Sequence, residues 1–201
     1  MRYLKKQAES RLLALQLSYD RRGDRPQIRQ LLLVEQSRFC AYSERYIKNT
    51  DSCDIEHFDP RLKSTDRDNY WNWYAVLSWM NSHKPKKIEP YLPLPEPFDP
   101  SLKDRIRFRN GVYEPVNASD GEALNLIRYL GWNHESLVRD RTAHLGRLRF
   151  IREQCSTDSE FADLIRNDPY NLSFITAIEV EFGILIPNLL SFSHATLKPN
   201  S

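Results

Sequence analysis

An α+β fold, mainly helical with small β elements, follows from three features of the 201-residue chain. The second half carries capped, apolar-periodic segments that read as helices. Asn110-Gly111 sits between RIRFR and VYEPV and is a strong hairpin signal. Residues 38–60 break the helical period and read as short strands. Forty per cent hydrophobic residues is enough to bury a core at this length. The six glycines disfavour a glycine-rich phosphate loop or a β-rich repeat fold.

The elements are expected in the following order. The first forty residues are helical: Leu12, Leu13, Leu15 and Leu17 crowd one segment, and Gly23-Asp24-Arg25-Pro26 ends it. A second helix starts at Pro26 and carries Ile28, Leu31, Leu32 and Leu33. RFCAYSERYI and DSCDIEHFDP then form two strands in a hairpin-like arrangement, separated by Lys48-Asn49-Thr50-Asp51. Residues 61–71 are a polar loop. Helical spacing of Val76, Leu77 and Met80 predicts a helix over 73–84, which Pro85 ends. Six prolines make 85–100 an extended strap. Ser119 with Glu122 forms a capping box, and Gly131 ends that helix. Asn133 caps the next helix, Thr157 with Glu160 caps FADLIR, and Asp168-Pro169 opens NLSFITAIEVEFGILI. The units are therefore 1–37 (N-terminal helices), 38–88 (core), 89–116 (strap and hairpin) and 117–201 (C-terminal helices), packed as one.

Charge and cysteine usage narrow the function classes. The 29 basic and 27 acidic residues nearly cancel to +2, which excludes a strongly basic nucleic-acid coat and a polyacidic tail. Three cysteines, Cys40, Cys53 and Cys155, disfavour a disulfide framework and fit a reducing cytoplasm. No apolar run approaches the roughly 20 residues that span a bilayer. The N-terminus lacks a small-residue cleavage site, so a cytoplasmic protein with no membrane partner is expected.

The chemistry-bearing stretch is 40–84. Glu56 and His57 precede Phe58-Asp59-Pro60, and Asn72, Asn81, His83 and Lys84 follow. A hard divalent cation takes oxygen ligands such as a carboxylate and an amide carbonyl, which Glu56 and Asn81 can supply. A neutral His57 can take a proton from an attacking water, and Asn72 can fix its tautomer. That combination is suited to metal-assisted phosphodiester hydrolysis. Neighbours on an ideal strand face opposite ways, so Glu56 and His57 share a site only if the strand ends or is irregular there.

These residues resemble the ββα-metal core of HNH endonucleases, including the acidic residue before the histidine. CAYSERYI, DIEHFDP and YWNWYAVLSWMNSHK look like the branch whose core reads C-x-Y-C-E … I-E-H-F-x-P-K … N-L … C-x-x-C-N. That branch includes the PtuB-type partners of ABC-type ATPases in Septu and retron-linked antiphage systems. The likeness spans roughly residues 28–140 and is specific over 38–84.

The resemblance implies a small ββα-metal core embedded in a mainly helical domain. It implies His57 as general base, Glu56 and Asn81 holding Mg²⁺ or Mn²⁺, Asn72 orienting His57, and Lys84 contacting phosphate or supporting the helix. An alternative phase of the motif makes His83 the ligand. Many relatives staple this core with four zinc-binding cysteines. Those positions here read Cys40, Ser43, Leu77 and Met80, so apolar packing is expected in place of structural zinc. Lys86 and Lys87 beside Lys84 are a solvated helix end or a grip on the phosphate backbone.

The implied activity is endonucleolytic cleavage of nucleic acid, most readily DNA, under control of an ABC/SMC-type (PtuA-like) ATPase in antiphage defence. Two alternatives stand beside it: a decayed HNH module serving as a binding or regulatory subunit, and an enzyme acting on RNA, including tRNA. The remaining features have plainer readings. His134, His144 and His194 are structural. Trp71, Trp73 and Trp79 either stack on bases or serve packing, with packing favoured for Trp79. Arg139, Arg141, Arg147 and Arg149 lie on an exposed amphipathic helix or face nucleic acid or a partner protein, with the former favoured.

Overall fold

A computed structural model describes residues 6–186. The fold is α+β, with helices dominating and two separate two-stranded antiparallel sheets. Helices α1 (Arg11–Ala14) and α2 (Arg25–Glu35) lead into strand β1 (Cys53–His57). Strand β2 (Trp73–Leu77) runs straight into helix α3 (Ser78–His83). Helix α4 (Leu102–Arg105) precedes a hairpin of β3 (Ile106–Arg109) and β4 (Val112–Pro115). Helices α5 (Gly121–Tyr129), α6 (Glu135–Gln154), α7 (Asp158–Arg166) and α8 (Ile175–Phe182) complete it.

The β1–β2 pair departs from the expected arrangement. Strand β1 pairs with β2 rather than with the 38–47 segment, and the register places His57 opposite Trp73 and Glu56 opposite Tyr74. The 38–47 segment instead folds on itself through a single bridge between Phe39 and Tyr46. Ser37, Arg38 and Glu44 have φ of 50°, 62° and 57°, a backbone that turns rather than extends. The helix expected over 73–84 is a strand up to Leu77. All five residues of β2 are buried, so no polar face exists to give helical periodicity its meaning. Val76, Leu77 and Met80 therefore fit a buried strand followed by one helical turn as well as they fit one helix.

One side chain closes the edge of β2. Gln36, just past α2, accepts the Ala75 N–H at 2.9 Å and donates to Ala75 O and Phe39 O, both at 2.8 Å. Its amide imitates a strand residue beside Ala41, whose N–H also bonds Ala75 O at 3.1 Å, and so satisfies buried backbone groups. Glu44 acts similarly at α8. It is fully buried and accepts from Thr176 N and Thr176 Oγ1, both at 2.9 Å, at the start of that helix.

Elsewhere the local signals and the structure agree in part. Asn110 and Gly111 take φ of 50° and 84°, as a tight hairpin turn requires. Thr157 accepts from Glu160 N while Glu160 accepts from Ser156 N, a reciprocal cap. Helix α5 is capped by Asp120, not Ser119: Asp120 accepts from Ala123 N at 3.0 Å, and both it and Glu122 are bonded to Arg105. Helix α6 is capped by His134, since Asn133 instead brackets the backbone of Tyr113. The last helix begins at Ile175, six residues beyond Pro169, with Phe174 at φ 65° making the turn. Helix α1 is a single turn, and the 85–100 strap is interrupted by a 3₁₀ turn at Glu89–Tyr91. His194 and the tail from Pro187 lie outside the described residues.

Gln36→Ala leaves the Ala75 N–H without its acceptor and should lower the unfolding free energy by about 2–3 kcal/mol. Urea denaturation reads this as a lower midpoint at unchanged slope.

Candidate functional site

Strand parity divides the expected constellation. Asp54 and Glu56 project to one side of β1, and Cys53, Ile55 and His57 to the other. Helix α3 covers the Asp54–Glu56 side. Asp54 accepts from Ser78 Oγ and Asn81 Nδ2, each at 2.9 Å. Glu56 Oε1 lies 2.8 Å from Lys84 Nζ. Glu56 and Asn81 are therefore neighbours on one side, each engaged by a different partner, and His57 faces away from both.

Lys84 is buried in a ring of oxygens. Besides Glu56, its ammonium donates to His57 O and Phe58 O at 3.2 Å and to the Tyr129 hydroxyl at 2.6 Å. The Tyr129 hydroxyl in turn donates a hydrogen bond to Phe58 O at 2.7 Å. Burial pushes the Glu56 carboxyl up and the Lys84 ammonium down, and each charge draws the other back toward ionisation. Lys84 thus supports β1 and α3 from within and is not presented to a phosphate.

His57 lies on the opposite side, 5% exposed. Its Nε2 is 3.2 Å from Asp68 Oδ2 and 3.1 Å from Oδ1. Asp68 also accepts from Trp73 Nε1 at 2.5 Å and from Ser64 N at 3.1 Å. A carboxylate only accepts, so Nε2 carries the proton and Nδ1 keeps the lone pair. Tyr19 meets the imidazole edge-on, with ring centroids 4.5 Å apart, and is itself held by Arg25 stacked at 4.2 Å. Burial holds the imidazole below its ordinary value, Asp68 opposes that, and Lys63 reinforces it. The ring is neutral at pH 7.

Asp68 is the residue the sequence reading missed. It lies in the polar 61–71 loop, eleven residues from His57, and no local pattern marks it. The one available signal is an acidic residue five positions before the tryptophan that faces His57 across the sheet. Asn72 does not orient His57. Its amide accepts from Asp59 N at 2.8 Å and donates to Asp59 O at 3.0 Å, which prolongs the β1–β2 pairing past the strand end.

The other expected residues separate in the same way. His83 stacks on Trp79 with centroids 4.1 Å apart, bonds Trp79 O through Nδ1 at 2.8 Å, and lies beside His134, away from Glu56. Lys86 and Lys87 line a groove with Arg61 and Glu89. Cys40, Ser43, Leu77 and Met80 are all buried, and Cys40 Sγ accepts from Leu77 N at 3.4 Å. Burial, then Cys40, pushes the Cys53 thiol up to about 11.

Taken as a donor set, Glu56, Asn81 and His57 do not fit one shared cation in this arrangement. Each is committed to another residue, and the strand stands between the imidazole and the other two. Among the described residues no group of three or more His, Cys, Asp or Glu is placed to hold a metal ion. No described helix is long and apolar enough to cross a membrane. No protein-family model, curated protein or solved structure matches the chain.

Glu56→Gln strands a buried ammonium and should cost about 3–5 kcal/mol. Adding Lys84→Met should recover part of that loss, so a double-mutant cycle by chemical denaturation gives strong coupling. His57 supplies a second prediction. Its native pKa lies below the unfolded 6.5, so its contribution to stability is complete above about pH 6.5. That contribution is lost as pH falls through the lowered native value. Urea midpoints between pH 7 and 5 should fall less steeply in His57→Gln, and the slope that remains includes His144, which burial also lowers.

Proposed function

We propose that the chain is an HNH-like nuclease that hydrolyses phosphodiester bonds of nucleic acid, most readily DNA. It would be the effector subunit of a cytoplasmic antiphage system partnered by an ABC/SMC-type ATPase. The observation that carries this reading is His57. It is the last residue of the first strand in a strand–strand–helix unit, neutral, and held through Nε2 by a buried carboxylate.

In this reading His57 takes a proton from water at Nδ1, and Asp68 steadies the imidazolium that forms. Lys86 and Lys87, in the groove at the exit of β1, supply cations for the phosphate backbone, and Arg61 beside them is paired with Asp59 at 2.7 Å. The resemblance also implies Mg²⁺ or Mn²⁺. Glu56 and Asn81 do not form a site for it while Lys84 and Asp54 engage them, so the chemistry is derived from the protein side chains alone. The ring is 5% exposed, and substrate access requires the segment bearing Tyr19 to move.

A second reading, a decayed module that binds or regulates, is favoured by the Glu56–Lys84 pair. An ammonium has taken up the carboxylate that a metal would need.

Plasmid and RNA, incubated with Mg²⁺ or Mn²⁺ and with or without the ATPase, separate the readings. His57→Ala should lower cleavage by about 10²–10⁴-fold. Asp68→Asn removes the influence that raises the imidazole pKa, so it should move the acid limb of the rate profile to lower pH. Equal cleavage by wild type and His57→Ala removes His57 from the reaction. No cleavage under any condition selects the second reading.

A further inference from the structure

A second groove lies between the 45–48 segment, helix α6 and the 170–174 turn, and none of its lining residues touches His57 or Glu56. Three of the side chains lining it are cationic, Arg45, Lys48 and Arg147, against one acid, Asp140. The surplus, three minus one, equals the formal net charge of the whole chain, +2. Asp140 is spent on Arg45 at 3.2 Å, which leaves Lys48 and Arg147 as the cations facing the groove.

Arg147 is positioned rather than loose. His144 is buried at the base of the groove and donates Nε2–H to Asn171 O at 3.0 Å. That bond leaves the Nδ1 lone pair for Arg147, whose guanidinium lies 3.4 Å away. Burial keeps the imidazole neutral, so it can accept from a guanidinium without repelling it. Arg147 is exposed, and a guanidinium held at one nitrogen keeps donors for a phosphate.

A flat surface stands beside these charges. Tyr170 is 50% exposed and is propped edge-on by Tyr46, with centroids 5.1 Å apart. Lys48 Nζ lies over the Tyr170 ring, 5.3 Å from its centre, a cation–π contact that a stacking base replaces as the ammonium turns to the phosphate. Cations adjoining an exposed, braced aromatic ring are the recurring combination for one nucleotide: the phosphate meets the charges and the base stacks on the ring. A phosphate alone would leave the ring without purpose, and an acidic peptide would leave its face uncovered.

We infer that this groove binds a nucleotide unit, its phosphate held by Lys48 and Arg147 and its base stacked on Tyr170. The site stands independently of the nuclease reading, because it needs no cleavage and no residue near His57. The unit comes from a single strand or from a free nucleotide.

The test is fluorescence anisotropy with a short labelled oligothymidylate in EDTA and in the His57→Ala background, so that binding is read without cleavage. Lys48→Gln with Arg147→Gln should weaken binding at least tenfold and flatten the log–log salt slope by about 1.4, or roughly 0.7 for each lost contact. Tyr170→Leu should weaken binding about tenfold with the salt slope unchanged. All three positions are exposed, so urea midpoints should match wild type. Competition by AMP identifies a free nucleotide as sufficient, and binding without competition identifies the strand. The inference is overturned if wild type binds neither probe. It is equally overturned if these variants bind normally while Lys86→Gln with Lys87→Gln abolishes binding, or if a phosphotyrosine peptide binds and the oligonucleotide does not.

Discussion

The buried ammonium of Lys84 ties together three parts of the chain that are far apart in sequence. It is carried just past α3, it neutralises a carboxylate on β1, and it meets the α5 hydroxyl of Tyr129. Three N–H donors serve four oxygens, and the Tyr129 hydroxyl relays to Phe58 O. Two of those oxygens are the main-chain carbonyls of His57 and Phe58, at the point where β1 ends. Without a cation there, carbonyls and a carboxylate would crowd one another in a dry interior. The position of β1, and with it the direction of His57, depends on this contact.

Strand parity then decides how the chemistry is distributed. Consecutive residues on a regular strand cannot share a face, and β1 is regular through His57. The carboxylate therefore lies under α3 and the imidazole under the N-terminal segment. Each side is completed by a residue from elsewhere: Lys84 on one, Asp68 on the other. Asp68 serves two partners at once, the His57 imidazole and the Trp73 indole, which face it together because they are opposed in the register. The carboxylate thus orients the imidazole and is itself held in place by the indole.

The small net charge also takes on a spatial meaning. Most exposed arginines on and near α6 are matched locally, Arg139 by Glu135, Arg149 by Glu181 and Arg152 by Asp158. Arg141, expected on an exposed face, is buried and bonds the carbonyls of Gly111 and Trp132. Lys86 and Lys87 line one groove and Lys48 and Arg147 another, while Arg61 beside the first pair is matched by Asp59 at 2.7 Å. An overall balance of charges is compatible with focused cationic surfaces when the neutralised charges lie elsewhere.

The sequence by itself determined the α+β class, the Asn110-Gly111 hairpin, the Thr157–Glu160 cap and the prominence of the 40–84 stretch. Each of these rests on contacts within a few residues, where composition and spacing are sufficient. Pairing partners and side-chain companions were decided by the tertiary structure. Whether β1 pairs forward or back, and whether 73–77 is strand or helix, depends on what covers both faces of a fully apolar run, which periodicity cannot reveal. Asp68 reaches His57 across eleven residues of loop, and Lys84 reaches Glu56 across twenty-eight. Those distances close only when the sheet, the helix and the N-terminal segment pack together, because a buried polar group takes as its partner whatever the fold brings within hydrogen-bond reach.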